Sequence, residues 1–208
     1  MANVKRRYDA HGRRAQAERA RNALVEVARD LLLRDGYAVT TLTGVARAGG
    51  VSVESIYKRF GNKPGLVRAV VEKALLGTGS TPAENRSDSL PAGDADELLR
   101  GWGLLTAEVA PQVAPLLLLV RAAAAHDADV AALQRDLDDS RRVRMATNAT
   151  RLAAAGALRL GVSETEATDV LWTYSSPELY ELLVLRSGWP LERYGRFVAD
   201  GLCAQLLR

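Results

Sequence analysis

The chain has 208 residues, 48% of them apolar, 25% charged and only 5% aromatic, with a formal net charge of +3. This is the composition of a soluble globular protein of one large or two small domains, and its wealth of Ala, Leu and Arg suits helices better than sheets. A single cysteine, Cys203, excludes an internal disulfide framework, no stretch approaches the roughly 18–20 apolar residues of a membrane span, and the basic N-terminus has no apolar run behind it, so a cytoplasmic protein with no membrane partner is expected.

Charge is unevenly placed. Residues 1–75 hold 15 Lys and Arg against 7 Asp and Glu, whereas the remainder hold 13 against 18. A basic N-terminal third on an acidic remainder points to one part that meets a polyanion and another that does not, or simply to a solvated charged surface.

In chain order, residues 1–14 carry Lys5, Arg6, Arg7, Arg13 and Arg14 with little apolar content and read as a flexible basic arm, either a minor-groove contact or a solubilising tail. Within 15–34, Leu24, Val27, Ala28, Leu31 and Leu32 recur at helical spacing, and Asp35-Gly36 ends that helix. Thr41 is placed to cap a short helix with Leu42, Val45 and Ala46 on one face, broken by Gly49-Gly50. Ser52 caps a second short helix, Val53 to Phe60, with Ile56 and Phe60 inward, and Asn62 caps a longer one from Lys63 to about Leu76. Two short helices across a glycine turn form a helix-turn-helix, giving a DNA-binding domain over 15–76. Residues 77–93, rich in Gly, Ser, Thr and Pro, read as a flexible linker.

Residues 94–208 read as a helical second domain. Helices are predicted over 94–110, 113–125 and 128–155, then from a Ser163/Glu166 capping box to Tyr174, from Ser176-Pro177-Glu178 to Gly188, and over 192–207. The fold class is therefore all-α.

Turned away from Ile56 and Phe60, the outer face of the 53–60 helix carries Glu54, Tyr57 and Lys58. A second helix of this kind enters the major groove with its first turn on the bases, which assigns Val53, Glu54 and Ser55 to base edges. Tyr57, Lys58, Arg59 and Lys63 suit phosphates, as do Thr41, Thr43 and Ser52 at the positive ends of the two short helices. No Ser–His–acid set or phosphate loop is present, and His11, His126 and Cys203 are too scattered for zinc, so no catalytic residue, metal or cofactor is expected.

Gly36-Tyr37, Thr40-Thr41, Val45-Ala46, Gly50-Val51-Ser52, Ile56-Tyr57, Phe60, Lys63 and Leu66 stand in an order and spacing that resembles the TetR family of bacterial transcriptional regulators, over roughly residues 20–75. The tail from Val170 to Leu202 looks like the C-terminal region of some actinobacterial members. Three positions depart from the family pattern: Gly44 where a helix former is usual, Glu54 where a small residue is frequent, and Arg59 where histidine is common. The resemblance implies an all-helical homodimer with an N-terminal DNA-binding domain and a C-terminal domain that binds a small-molecule inducer and dimerises. The expected function is a transcriptional repressor released from an inverted-repeat operator in double-stranded DNA by that inducer. An activator, a non-specific nucleoid-type protein, and an enzyme built on a helical bundle are the competing readings.

For the inducer, the predicted 128–155 helix interrupts its apolar stripe at Arg141, Met145 and Asn148, and Trp102, Thr106, Arg121 and Trp172 are candidates to line the same cavity. Arg121, a cation on an apolar helix, needs a partner or must reach solvent along its own stem. The mostly apolar domain points to a lipophilic molecule. For the dimer interface, Leu179, Leu182, Leu183, Tyr194, Phe197, Val198 and Leu202 supply apolar stripe, with Gly201 permitting close helix approach at a two-fold axis or serving internal packing.

Overall fold

The computed structural model describes residues 2–90 and 93–207, and side chains from residue 12 onward. The architecture is all-α, with a single isolated antiparallel bridge, Leu158 to Leu207, among the described residues. The chain divides into two compact units after Lys73.

The first unit contains α1 (Ala2–Val39), α2 (Leu42–Ala48), α3 (Val53–Phe60) and nearly all of α4 (Lys63–Ala74). The segment read as a flexible arm continues α1 back to Ala2; the side chains of Lys5, Arg6 and Arg7 lie outside the described residues. The predicted break at Gly36 is present as a kink, with φ 81° and ψ 170°, beyond which the helix resumes to Val39. Leu24, Val25, Ala28 and Leu32 of α1, Val45 and Ala46 of α2, Ile56 of α3, and Leu66, Val67, Val70 and Val71 of α4 are all buried. Lys73 ties the end of α4 to α1, pairing with Glu26 at 2.8 Å and donating to the Asn22 carbonyl.

The second unit contains α5 (Ala83–Asp88), α6 (Ala95–Ala124), α7 (Ala128–Ala154), α8 (Glu164–Tyr174), α9 (Pro177–Tyr180) with a π-helical continuation over Glu181–Arg186, and α10 (Leu191–Leu206). Helix α6 is central, packed on α7 and α10. It runs through Pro111 and Pro115, where two separate helices were expected. An internal proline costs about 3 kcal/mol in an isolated helix, and here packing on two neighbours holds the rod together. As one element α6 is also long and apolar enough, by length and composition, to cross a membrane, which the shorter predicted pieces were not. Its core-facing residues, among them Leu98, Leu99, Trp102, Ala110 and Ala114, are buried in the unit's hydrophobic cluster with Leu152, Leu171, Tyr180, Tyr194, Val198 and Leu202.

Within the segment read as a linker, the chain from residue 77 to residue 90 packs against its own unit. Helix α5 lies within it, and Arg86 is held between Glu108 of α6, at 2.8 Å, and the Leu76 carbonyl. Thr78 donates to the same Glu108 through its backbone N–H and its hydroxyl. Arg144 of α7 pairs with Asp88, and Arg151 donates to the Ser87 and Leu90 carbonyls. Low apolar content led the sequence reading to a loose segment, but charge-assisted hydrogen bonds order it instead.

Candidate nucleic-acid interface and second-unit sites

The two short helices are set by their caps. Thr41 Oγ1 accepts from the Gly44 N–H at 3.0 Å, and Ser52 Oγ accepts from the Ser55 N–H at 3.2 Å. A methyl group at position 44 would come within 3.2 Å of the capping Thr41 oxygen, a close contact that a small shift of that side chain would relieve. Asn62 Oδ1 accepts from the Gly65 N–H at 2.8 Å and starts α4.

With Ile56 fully buried, α3 turns Glu54, Tyr57, Lys58 and Arg59 to solvent, and Tyr57 is 54% exposed. Thr41, Thr43 and Ser52 are exposed, and Val53 and Ser55 half-buried. Among the described residues no cation pairs with Glu54. Arg47, exposed in the last turn of α2, adds a cation that sequence reasoning passed over.

Lys63, read as a phosphate contact, has partners within its own unit. Its ammonium donates to the Tyr37 carbonyl and sits 3.8 Å from the centre of the Tyr37 ring, so the side chain is half-buried against the end of α1. Thr40 completes that joint, its hydroxyl donating to the Gly36 carbonyl at 2.8 Å. Tyr37 and Thr40 stand among the residues that resemble the family, and here they also anchor the end of α1. Only the pairing with Lys63, 26 residues away, reveals that role.

In the second unit the candidate ligand residues separate into three places. Trp102 is buried in the hydrophobic cluster, Met145 packs half-buried against that cluster, and Asn148 is 5% exposed on the same helix. Thr106, half-buried, turns its hydroxyl back onto the Trp102 carbonyl. Arg141 and Trp172 meet each other at the end of α8, where Arg141 donates to the Trp172 carbonyl and to Ser175 Oγ. It thereby caps the negative end of α8. The Arg141 and Arg142 guanidinium centres lie 4.8 and 5.4 Å from the Trp172 ring centre, and burial holds the Arg141 pKa below its ordinary value. Within the polar interruption of α7, Arg141 thus serves as a cap for α8, whereas Met145 and Asn148 take no part in it.

Arg121 is not a buried cation: its side chain is 55% exposed and pairs with Glu178 of α9 at 2.5 Å. That pair borders a cleft lined also by Leu117, Val120, Gln134, Leu137, Asp138 and Pro177. At about 20 Å³ the cleft has room for about one water.

The predicted dimer stripe is split by burial. Tyr194, Val198 and Leu202 are core residues of their own unit, at 0%, 1% and 3% exposure. Leu179 and Leu183 pack half-buried against that core, whereas Leu182 is 50% and Phe197 39% exposed. Gly201 faces the Tyr174 ring, whose hydroxyl oxygen would lie 2.4 Å from a methyl group there, so its small size serves internal packing.

The fold and the capped α2–α3 pair define a two-unit, all-helical protein with an N-terminal helix-turn-helix. Residues 24–70 match the family of bacterial regulatory proteins called the tetR family. The first unit belongs to that family. A 56-residue stretch is 43% identical to the HTH-type transcriptional regulator AlkX of Mycobacterium tuberculosis (strain ATCC 25618 / H37Rv), spanning 26% of this chain and 26% of that relative. Similarity of fold covers more of the chain. NalD, the secondary repressor of the MexAB-OprM multidrug efflux pump in Pseudomonas aeruginosa, superposes with TM-score 0.69 at 18% identity, over 93% of this chain and 98% of that one. A SmeT–triclosan complex does so with TM-score 0.69 at 19% identity, over 91% and 92%. A tetR-family regulator from Syntrophomonas wolfei gives 0.70 at 17%, over 89% and 94%.

Proposed function

We propose that the protein is a ligand-responsive transcriptional regulator that binds an inverted-repeat operator as a homodimer and is released from it by a small molecule. The observation that carries this reading is the Ser52-capped α3, with Ile56 sealed inside and Glu54, Tyr57, Lys58 and Arg59 outside, in a unit of the tetR family. Val53, Glu54 and Ser55 are assigned to base edges, with Glu54 accepting from a cytosine amino group. Tyr57, Lys58 and Arg59 grip phosphates, together with the hydroxyls of Thr41, Thr43 and Ser52. Lys63 acts at one remove, by fixing Tyr37 and with it the start of α4. Two copies would place their α3 helices in successive major grooves, about 34–36 Å apart.

Self-association is assigned to the exposed apolar residues that follow α9 and run into α10: Leu182, Leu185, Leu191 and Phe197, backed by Leu179 and Leu183. The second unit is assigned the sensing role, and the triclosan complex of SmeT, a protein of the same fold, supports that assignment. A coupling of about 1–3 kcal/mol between ligand and operator would weaken DNA binding about 5- to 150-fold.

The experiment is selection from a random DNA pool at physiological salt with sequencing of the bound fraction. Enrichment of an inverted repeat is expected. A pool that stays random, with binding lost as salt rises, refutes the operator and leaves only a basic surface. Transcription from a promoter carrying the selected site, with and without the protein, separates repressor from activator.

A further inference from the structure

Between Asp35 and Glu72 the chain carries five cations, Arg47, Lys58, Arg59, Lys63 and Arg68, and a single acid, Glu54. That acid stands exposed in the first turn of α3. Its companions in that turn have little to offer a base edge by hydrogen bonding. Val53 has no polar side-chain atom, and the half-buried Ser55 hydroxyl lies 3.0 Å from the capping Ser52 Oγ. Glu54 has no such tie: no hydrogen bond or ion pair engages its carboxylate among the described residues. Lys58, one turn further along α3 at the spacing of an i,i+4 pair, is exposed and makes none with it.

An acid at this place works against the binding of a polyanion. Attraction to phosphates, which is independent of sequence, supplies essentially all of non-specific affinity. On α3 the exposed cations Lys58 and Arg59 provide it, and a carboxylate one turn before them subtracts from it at every site on the duplex. What the carboxylate meets in the major groove decides whether that loss is recovered. Guanine presents N7 and O6 and thymine presents O4, all acceptors that repel it. Adenine presents an amino donor beside the N7 acceptor, so attraction and repulsion partly cancel. Cytosine presents its N4 amino donor with no acceptor next to it on the same base.

We propose that Glu54 is a specificity filter: it lowers affinity for DNA in general and restores it only where a cytosine amino group faces the first turn of α3. Discrimination at that base pair then comes mainly from rejection of the other bases. The inference rests on the reading of α3 as the base-reading helix and adds the sign and the source of its selectivity. It is distinct from the stabilisation that any acid gives near the positive end of a helix, which acts without DNA and carries no sequence preference.

The test compares the full parent chain with Glu54→Ala and Glu54→Gln at fixed salt. Each is titrated with the selected operator and with a scrambled duplex of the same length and composition, and the random-pool selection is repeated with each variant. Glu54→Ala should bind the scrambled duplex about 3- to 10-fold more tightly than the parent does. The ratio of operator to scrambled affinity should shrink about 5- to 150-fold, which is what one mismatched base pair costs. The sequence it selects should keep the inverted repeat and lose the cytosine at one position of each half-site. Glu54→Gln should exchange that cytosine for adenine, because an amide pairs with adenine N6 and N7. The proposal is overturned if Glu54→Ala binds the scrambled duplex no more tightly, or if either variant selects the sequence of the parent. A lowered melting temperature with parent-like DNA binding also overturns it and leaves Glu54 to the helix end alone. Failure of the regulator reads differently: a parent that enriches no sequence removes operator and filter together, whereas an enriched operator that Glu54→Ala leaves intact removes the filter alone.

Discussion

Glu108 is the clearest place to weigh the packing of residues 75–90. Its carboxylate accepts from Arg86, from the Thr78 N–H and from the Thr78 hydroxyl at 2.8–3.0 Å. Led by the Arg86 hydrogen bonds, these contacts bring its pKa down from 4.5 to about 2. A depressed carboxylate contributes stability above its unfolded pKa and loses it as pH falls toward the folded value. At about 1.36 kcal/mol per pKa unit, the charged form is worth roughly 3 kcal/mol at pH 6 and roughly half that at pH 3. The side chain is 29% exposed, and solvent screening brings the pH 6 figure nearer about 2 kcal/mol. Glu108→Gln keeps the shape and removes the charge. Urea unfolding of parent and variant from pH 3 to 7 should show a deficit of about 2–3 kcal/mol at pH 6 that shrinks by half or more at pH 3. Because every other carboxylate titrates in both proteins, the difference isolates Glu108. Equal stability at pH 6, or a deficit that does not change with pH, would refute the reasoning and return this segment to a loosely attached linker.

The other predictions concern the first unit and the dimer. Lys58→Glu should weaken operator binding about 10-fold or more and flatten its salt dependence while leaving the melting temperature unchanged, since the residue is exposed. Lys63→Met should instead lower the unit's stability by about 1–2 kcal/mol in urea unfolding, because it frees the Tyr37 carbonyl and the ring that the ammonium covers. Gly65→Ala should unfold the first unit, seen as loss of its helical circular dichroism, because a methyl group there would sit 2.0 Å from the Phe60 carbonyl oxygen. Leu182→Asp, at a half-exposed position, should halve the sedimenting mass with little loss of protomer stability; an unchanged mass would move the interface elsewhere.

The DNA-facing half of the fold was legible because its signals are local. Thr41 and Ser52 cap helices within three residues of themselves, and Ile56 declares the inner face of α3 within one turn. The predicted span of α3, Val53 to Phe60, is the observed one. Where the deciding partner is distant, the same kind of reading failed. Pro111 looked like a stop because local propensity says so, and only the packing of α6 against α7 and α10 overrides it. Arg86 looked solvated because Glu108 is 22 residues away. For Lys63, read as a phosphate contact, the local sequence gives no sign of its pairing with Tyr37 at the far end of α1.

The dimer stripe shows why periodicity stops short of assigning a partner. A spacing of three and four residues states that one face of a helix is covered, not by what. On α10 that face is Tyr194, Val198 and Leu202, and the chain covers it with α6 and α8. Phe197, one position from Val198, points elsewhere and is left half-exposed beside Trp189 and Tyr174. The residues that make the strongest pattern are thus the least available to a second copy. The weaker ones, Leu182, Leu185 and Phe197, carry the interface hypothesis. The same division applies to the residues proposed for ligand sensing. Arg121 and Arg141 stood out in the sequence as charges in apolar helices, and each has a partner, Arg121 in Glu178 and Arg141 in the end of α8. Trp102 and Tyr194 matched the apolar pattern around them, and each leaves a buried donor without a partner among the described residues, as Trp172 Nε1 and the Nε atoms of Arg86 and Arg141 also do.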